Sequence, residues 1–427
     1  MDQARQLQRY AQFLGDEYIA QIFHMAQALA GMHVLHLNTT AQGGGVATLL
    51  QTLLPLMNEL GVEHSWRVVQ LDEGANKATT HLVDLLQGNE PGELSTEEQH
   101  AIIDVLKRAP VEQFIDENHP DTVCVHDFQL APLATLFTSV QPAMWFCHID
   151  TAHPNVQAKS YIEQFLGPYR VYMFNSQQSI FPELPSEKTQ VVTPSIDAFS
   201  KKQQYLSPED GRAALQRCGI DTNRPLITQV SRFDRWKNPW QVIDIYRAVK
   251  RQMPTVQVAL VGAMEAADDV RAREVLKDVH HYAGDDPDIH LLSDPQLIQH
   301  DEVNAFQRYS NVILQRSTHE GFGLTVTEAM WKYQPVVGTS ATGLRRQIVH
   351  EQNGYIADDT DTSAMYTLKL LHDRTLHERL GKQAHQCVQD NFLFPMMVRE
   401  YLVALFKTLG HTLPDETTDI VPSLEKH

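Results

Sequence analysis

Apolar positions change their period several times along this chain. Over the first thirty residues Leu7, Tyr10, Leu14, Tyr18, Ile22 and Phe23 recur at helical spacing, which predicts an amphipathic lead-in helix. The spacing then shortens to runs rich in β-branched and aromatic residues. MHVLHLN (32–38), Trp66 to Gln70, TVCVHD (122–127), AMWFCHI (143–149), RVYMFN (170–175) and QVVT (190–193) read as strands, separated by helical segments. The first run ends in the loop Thr39 to Gly45 and opens a helix from Val46 to Leu60, stopped by Gly61 and expected to kink at Pro55. Ser95 to Glu98 forms a capping box that launches another helix.

Residues 195–206 are polar and without period, and Ser207-Pro208 then signals a helix start. The alternation restarts with PLITQVS (225–231), VQVALVG (256–262), DIHLLS (288–293), NVILQRS (311–317) and QPVVGTS (334–340). Two successive α/β units with mainly parallel sheets follow from this pattern. The expected boundaries are 1–195 for the first unit, with its lead-in helix, and 196–394 for the second. A tail over 412–427 is polar and reads as disordered.

Length and charge narrow the picture. A chain of 427 residues exceeds one ordinary core, and 42% hydrophobic residues can fill two. A net charge of −18 speaks against nucleic-acid or anionic-membrane partners, and requires local basic groups wherever a phosphate is held. Cys124, Cys147, Cys218 and Cys387 form no CxxC pattern and read as free thiols of a reducing compartment. Neither a signal peptide nor a membrane span is legible, so a soluble cytoplasmic protein is expected.

Ligands of open α/β sheets bind beyond the carboxyl ends of strands, and four strand ends carry unusual polar residues. Thr39 to Gly45 includes Gly43, Gly44 and Gly45, which let backbone approach a ligand at a helix N-terminus, although the loop is not GxGxxG. His126-Asp127 and His148-Ile149-Asp150 each close an apolar strand, where they could orient hydroxyls or accept a proton. A metal group of His126, Asp127, His148 and His153 matches no familiar zinc spacing, so no metal site is expected. Arg232 and Lys237, five residues apart after PLITQVS, suit a diphosphate that gains charge as its bond to a sugar breaks. Finally, NVILQRS runs into Glu320-Gly321-Phe322-Gly323-Leu324, with Glu328 about a turn inside the helix that begins near Leu324. One carboxylate can grip sugar hydroxyls and the other a ribose, while amides at the helix start favour phosphate between them.

With these residues in view, the chain resembles the retaining glycosyltransferases of family 4, which have the GT-B fold of two facing Rossmann-like domains with a cleft between them. Glu320-x7-Glu328 together with Arg232 and Lys237 carries the likeness. Within that family the nearest likeness is to trehalose synthases that move glucose from a nucleotide sugar to free glucose, through VLHLNTTAQGGGVATLL, LPLMNELGVEHSWRVV, CHIDTAHPN, SRFDRWKNPWQVIDIYR and EGFGLTVTEAMWK. The resemblance implies that Arg232 and Lys237 hold the diphosphate. It implies that Glu320 and the amides of Gly321, Phe322, Gly323 and Leu324 meet the donor sugar, and that Glu328 binds ribose. Gly44 and Gly45 would also meet the donor, and His148 would lie beside the sugar. Gly43, His126, Asp127 and Gln129 would face the acceptor. It further implies that a last helix over 395–411 crosses back to the N-terminal domain.

The chain departs from the family pattern at Phe128, Leu130 and Phe146, which would add apolar bulk on the acceptor side, and at His319. The resemblance implies glucosyl transfer with retention from a UDP-, ADP- or GDP-glucose to a small hydroxylated acceptor, forming trehalose from glucose. No cofactor is required in that scheme, magnesium is compatible without being implied, and a homodimer is left open. Glycerol or glycerate as acceptor, a trehalose phosphorylase, and a non-catalytic sugar or nucleotide sensor are the competing readings.

Overall fold

A computed structural model describes residues 3–41, 44–88, 91–262 and 270–414. They fall into two compact units: one holds the chain up to Pro194 together with the segment from Pro395 onward, the other Ser195–Phe394. The tail residues 415–427 lie outside the described residues.

The first unit is built on six parallel strands, β1 (His33–Asn38), β2 (Glu63–Val68), β3 (Thr122–His126), β4 (Ala143–Cys147), β5 (Val171–Phe174) and β6 (Thr189–Val191). Their order is β2-β1-β3-β4-β5-β6. Strands β1, β3, β4 and β5 are buried along their whole length. That is why they read as near-continuous apolar runs rather than as alternating ones. Leu35, Val125, Trp145 and Phe174 pack with Leu82 and Leu85 of the helix Glu73–Leu86 and with Leu106 of Thr96–Lys107. Ser95 and Glu98 form the reciprocal capping box that starts the latter helix.

Two local details differ from the sequence pattern. The lead-in is not one helix but three, Gln3–Gln8, Ala11–Leu14 and Asp16–Ala28. Its last break falls at Gly15, whose φ of 87° no helix can continue. The helix expected over 46–60 spans Gly44–Glu59 and runs through Pro55. The helix Phe394–Leu409 joins this unit: Val398, Tyr401, Leu402 and Leu405 are buried, and Arg170 donates to the Thr408 carbonyl at 3.1 Å.

The second unit has β7 (Leu226–Val230), β8 (Gln257–Val261), β9 (Ile289–Leu292), β10 (Val312–Gln315), β11 (Val336–Gly338) and β12 (Gly354–Ile356). These strands are all parallel, in the order β12-β11-β10-β7-β8-β9. This is the strand order of dinucleotide-binding sheets, and its direction reverses between β7 and β10. The first sheet has the other doubly wound order, with its reversal between β1 and β3. Among the described residues no helix is long and apolar enough to cross a membrane.

Candidate active site

In the second unit the candidate residues gather where the strand order reverses. After β7, Asp234 caps a short turn over Arg235–Lys237 by accepting from the Trp236 amide. After β10, Thr318 donates its amide to the Trp236 carbonyl at 2.8 Å, tying the two loops together. Buried Gln229 on β7 braces both: its amide donates to the Lys237 carbonyl and its oxygen accepts from the Arg316 amide. On this frame Lys237 and Glu320 form an ion pair, and Ser317 donates to the same Glu320 oxygen at 3.1 Å. Arg232 instead lies largely exposed and pairs with Asp234 at 3.6 Å. The structure thus brings Lys237 to Glu320 and leaves Arg232 extended beside its own loop.

The loop Gly321, Phe322, Gly323 is shaped by what lies under it. Gly323 takes φ of 88° as the cap of the helix Leu324–Trp331, with Leu324 opening it. Gly343 approaches so closely that a Cβ there would sit 2.5 Å from the Phe322 backbone. Buried Gln347 donates to the Phe322 carbonyl at 2.6 Å and accepts from Thr327 at 2.7 Å. The free amides at this helix start and its dipole favour an anion.

Glu328, five residues into that helix, is buried. Lys202 contacts one carboxylate oxygen at 3.1 Å, and Gln307 donates to the other at 2.7 Å. Burial would raise this carboxyl, but Lys202, Lys332 and the Gln307 bond hold it below its ordinary value. Lys332, buried beneath it, is brought down to about 7 by desolvation. Glu328 is therefore an ionised carboxylate in a built network, suited to accept from a pair of vicinal hydroxyls.

In the first unit, Asp127 follows β3 with φ of 62°, a conformation that costs a non-glycine residue energy and marks functional turns. Trp145 donates to its carbonyl at 2.9 Å, and its carboxylate accepts the His148 amide at 2.8 Å. Desolvation pushes the Asp127 carboxyl up to about 7, against that amide bond. His126 and His148 meet ring to ring at 2.9 Å. The Gln129 side-chain oxygen is buried with no hydrogen-bond partner among the described residues. Gly44 and Gly45 open the helix Gly44–Glu59, while Gly43 lies outside the described residues.

Phe128 and Leu130 correct an expectation. Both belong to the first unit's hydrophobic core, so they add no bulk to an acceptor wall. Phe146, also buried, packs its ring 3.9 Å from that of His148 and acts as a support.

Sequence reasoning missed several residues that the structure places in these networks. Lys202, Gln307 and Lys332 around Glu328 carry no local signal. Arg316 is fully buried between the carbonyls of Ala357 and Asp358, with Gln241 on its Nε, and burial lowers it to about 10. His36, His64 and Tyr401 extend the His126–His148 pair into the interior. Among the described residues, His36, Cys124 and His126 also bring metal-ligand atoms within 4.8 Å of one another. Two imidazole nitrogens at zinc distance would stand roughly 3.4 Å apart in a tetrahedral site, whereas these two face each other at 2.9 Å, a hydrogen-bond separation.

Comparison with known proteins places both halves. Residues 36–181 match the family model "Trehalose synthase, N-terminal domain", and residues 212–386 match "Glycosyl transferases group 1". The chain is similar to a trehalose synthase of Thermococcus litoralis, at 38% identity over 94% of this chain and 96% of that one. It is also similar to a trehalose synthase of Rubrobacter xylanophilus, at 35% identity over 94% and 96%. Among solved structures, an α,α-trehalose-phosphate synthase (UDP-forming) from Burkholderia vietnamiensis superposes with a TM-score of 0.69. It has 14% identity and covers 87% of this chain and 96% of that one, a likeness of fold.

Proposed function

The chain belongs to the trehalose synthase family of GT-B glycosyltransferases, and on that premise we propose that it moves glucose from a nucleoside-diphosphate glucose to free glucose, with retention, forming trehalose. The observation that carries this reading is the Lys237–Glu320 pair at the reversal between β7 and β10, with Glu328 one turn into the following helix. Phosphate would lie at the helix start, ribose at Glu328 and the glucosyl hydroxyls at Glu320.

The reaction breaks the bond from the sugar's anomeric carbon to the phosphate oxygen and forms one to an acceptor hydroxyl oxygen on the same face. The acceptor's proton passes to the departing phosphate oxygen. Charge that gathers on the diphosphate is met by Lys237 and by Arg232 once its exposed side chain folds onto the ligand. Asp127, Gln129 and His148 are assigned the acceptor and sugar contacts, while His126, buried with both ring nitrogens bonded to His36 and His148, stands behind them.

A phosphorylase would leave Glu328 and its supporting lysines without a ribose to bind. Glycerol as acceptor loses its main support once Phe128 and Leu130 are found in the core. The test is incubation with UDP-, ADP- or GDP-glucose and equal glucose and glycerol, with products read by NMR. Trehalose from at least one donor supports the reading. Glucosylglycerol alone overturns the acceptor assignment, and no transfer from any donor overturns the whole.

A further inference from the structure

Four adjacent strands and one returning helix place five aromatic rings in a single hydrogen-bonded line. His64 lies on β2, His36 on β1, His126 at the end of β3 and His148 just past β4, while Tyr401 comes from the helix Phe394–Leu409. The contacts run from the Val62 carbonyl to His64 Nδ1 at 3.0 Å, and from His64 Nε2 to the Tyr401 hydroxyl at 3.0 Å. They continue from Tyr401 to His36 Nε2 at 3.2 Å, from His36 Nδ1 to His126 Nε2 at 2.9 Å, and from His126 Nδ1 to His148 Nε2 at 2.9 Å. The ring planes of His36 and His126 differ by 24°, and those of His126 and His148 by 14°, so in-plane protons and lone pairs can meet. His36, His64, His126 and Tyr401 are buried, and His148 alone among the rings is partly exposed.

This line can hold its protons in one way only when every imidazole is neutral. A carbonyl accepts and never donates, so His64 must carry its proton on Nδ1. Its Nε2 is then a lone pair, which takes the Tyr401 hydroxyl proton. The Tyr401 oxygen accordingly accepts from His36 Nε2–H, His36 Nδ1 accepts from His126 Nε2–H, and His126 Nδ1 accepts from His148 Nε2–H. What remains at the outer end is a bare lone pair on His148 Nδ1.

We propose that this line is a positioning relay that locks His148 as an acceptor at Nδ1, so that it accepts a hydrogen bond from a sugar hydroxyl, which keeps its proton, and cannot donate from that nitrogen. The inference rests on the transferase reading for the identity of the hydroxyl, but the proton arrangement itself does not. His64, Tyr401, His36 and His126 are positioning residues that never touch substrate. Neutrality is enforced by burial: His64 is brought down to about 4 and His126 to about 3 by desolvation, and His36 and His148 also lie well below the ordinary value. The other titratable groups near the line do not break it. His33 bonds Ser65, buried Cys124 stays a thiol because desolvation raises it, and Asp127 accepts from the His148 backbone amide. In the low dielectric of the interior, each bond of such a line polarises the next.

The test is the nitrogen spectrum of the full chain carrying ¹⁵N-histidine, with His148 assigned through His148→Gln. His148 is expected to be protonated on Nε2 and bare on Nδ1, unchanged from pH 6 to 8. A proton on Nδ1, titration inside that range, or a stoichiometric transition metal on the purified protein overturns the proposal. Tyr401→Phe removes the hydroxyl that carries the direction set at the Val62 carbonyl on to His36. It should mix the His148 tautomers and lower kcat by roughly ten- to a hundredfold, with the KM for nucleotide-glucose little changed. An unchanged tautomer and unchanged kcat in folded Tyr401→Phe overturn it as well. The wild-type spectrum needs no activity, so trehalose formation with the wrong tautomer rejects the relay alone. The right tautomer in a protein that makes no trehalose rejects the transferase reading alone.

Discussion

Glu320 and Glu328 are two carboxylates eight positions apart that sit in opposite surroundings. Glu320 shares an oxygen with Lys237 and Ser317 at the loop, whereas Glu328 is buried with Lys202 and Gln307 on its two oxygens. Glu320→Gln should therefore cut turnover by on the order of a hundredfold, because its proposed contact is to the reacting sugar. Glu328→Gln should chiefly raise the KM for the donor, since ribose is held alike in ground and transition states. Steady-state kinetics on both variants checks this, and the reverse pattern would swap their roles. Arg232→Ala should lower kcat by about a hundredfold, and exposed Arg235→Ala should change it little. Asp127 gives a prediction about pH. Its folded value of about 7 lies above its ordinary 3.8, so the folded chain keeps a proton that the unfolded chain has released between those limits. Its contribution to stability thus fades as pH rises through that window. Asp127→Asn should raise the melting temperature relative to wild type at pH 8 and do little at pH 5; a larger gain at pH 5 would contradict the assignment. Residue types at strand ends were legible in the sequence because polar groups closing an apolar run stand out. Lys202, Gln307 and Tyr401 were not, because their meaning lies in partners far along the chain. Tyr401 and His64, for example, are 337 positions apart.

At the scale of elements, the loop 321–323 is held from below by the short helix Thr342–Arg345 and by Gln347 after it. Gly343→Ala would place a methyl group 2.5 Å from the Phe322 backbone, a clash that no flexible side chain can relieve. Overpacking of this kind costs roughly 1–3 kcal/mol. The variant should melt several degrees lower and show a raised KM for nucleotide-glucose, measured by calorimetry and kinetics. Unchanged values for both would show that the loop is not seated on this glycine. Period and β-branched content marked eleven of the twelve strands, since buried parallel strands are continuous apolar runs. Strand β12, Gly354–Ile356, escaped because it opens on Asn353-Gly354, a pair that reads as a turn, and lacks a β-branched pair such as those of β6 and β11. The order of strands, and with it the two reversals where the candidate residues gather, is set by long-range pairing that no local pattern encodes.

Over the whole molecule, the helix Phe394–Leu409 belongs to the first unit although it follows the second in sequence. Its Val398, Leu402, Leu405 and Phe406 are buried. At roughly 1.5–3 kcal/mol for each large apolar side chain, they contribute on the order of the 5–15 kcal/mol that separates a folded domain from its unfolded chain. A chain ending at Phe394 should accordingly lose the first unit's cooperative melting and aggregate, and a soluble, fully cooperative truncation would contradict this account. The net charge of −18 leaves the binding of an anionic donor to local groups, which is the task assigned to Arg232, Lys237 and the helix start at Leu324. The most direct measurement of that assignment follows the fate of the transferred carbon. Nucleotide-glucose labelled with ¹³C at the anomeric position is incubated with the protein and unlabelled glucose. The account predicts that the label appears in an α-linked carbon of a non-reducing disaccharide, and that Lys237→Ala nearly abolishes its appearance. Label in a β-linked carbon, label in glucose 1-phosphate once phosphate is supplied, or undiminished transfer by Lys237→Ala would contradict it.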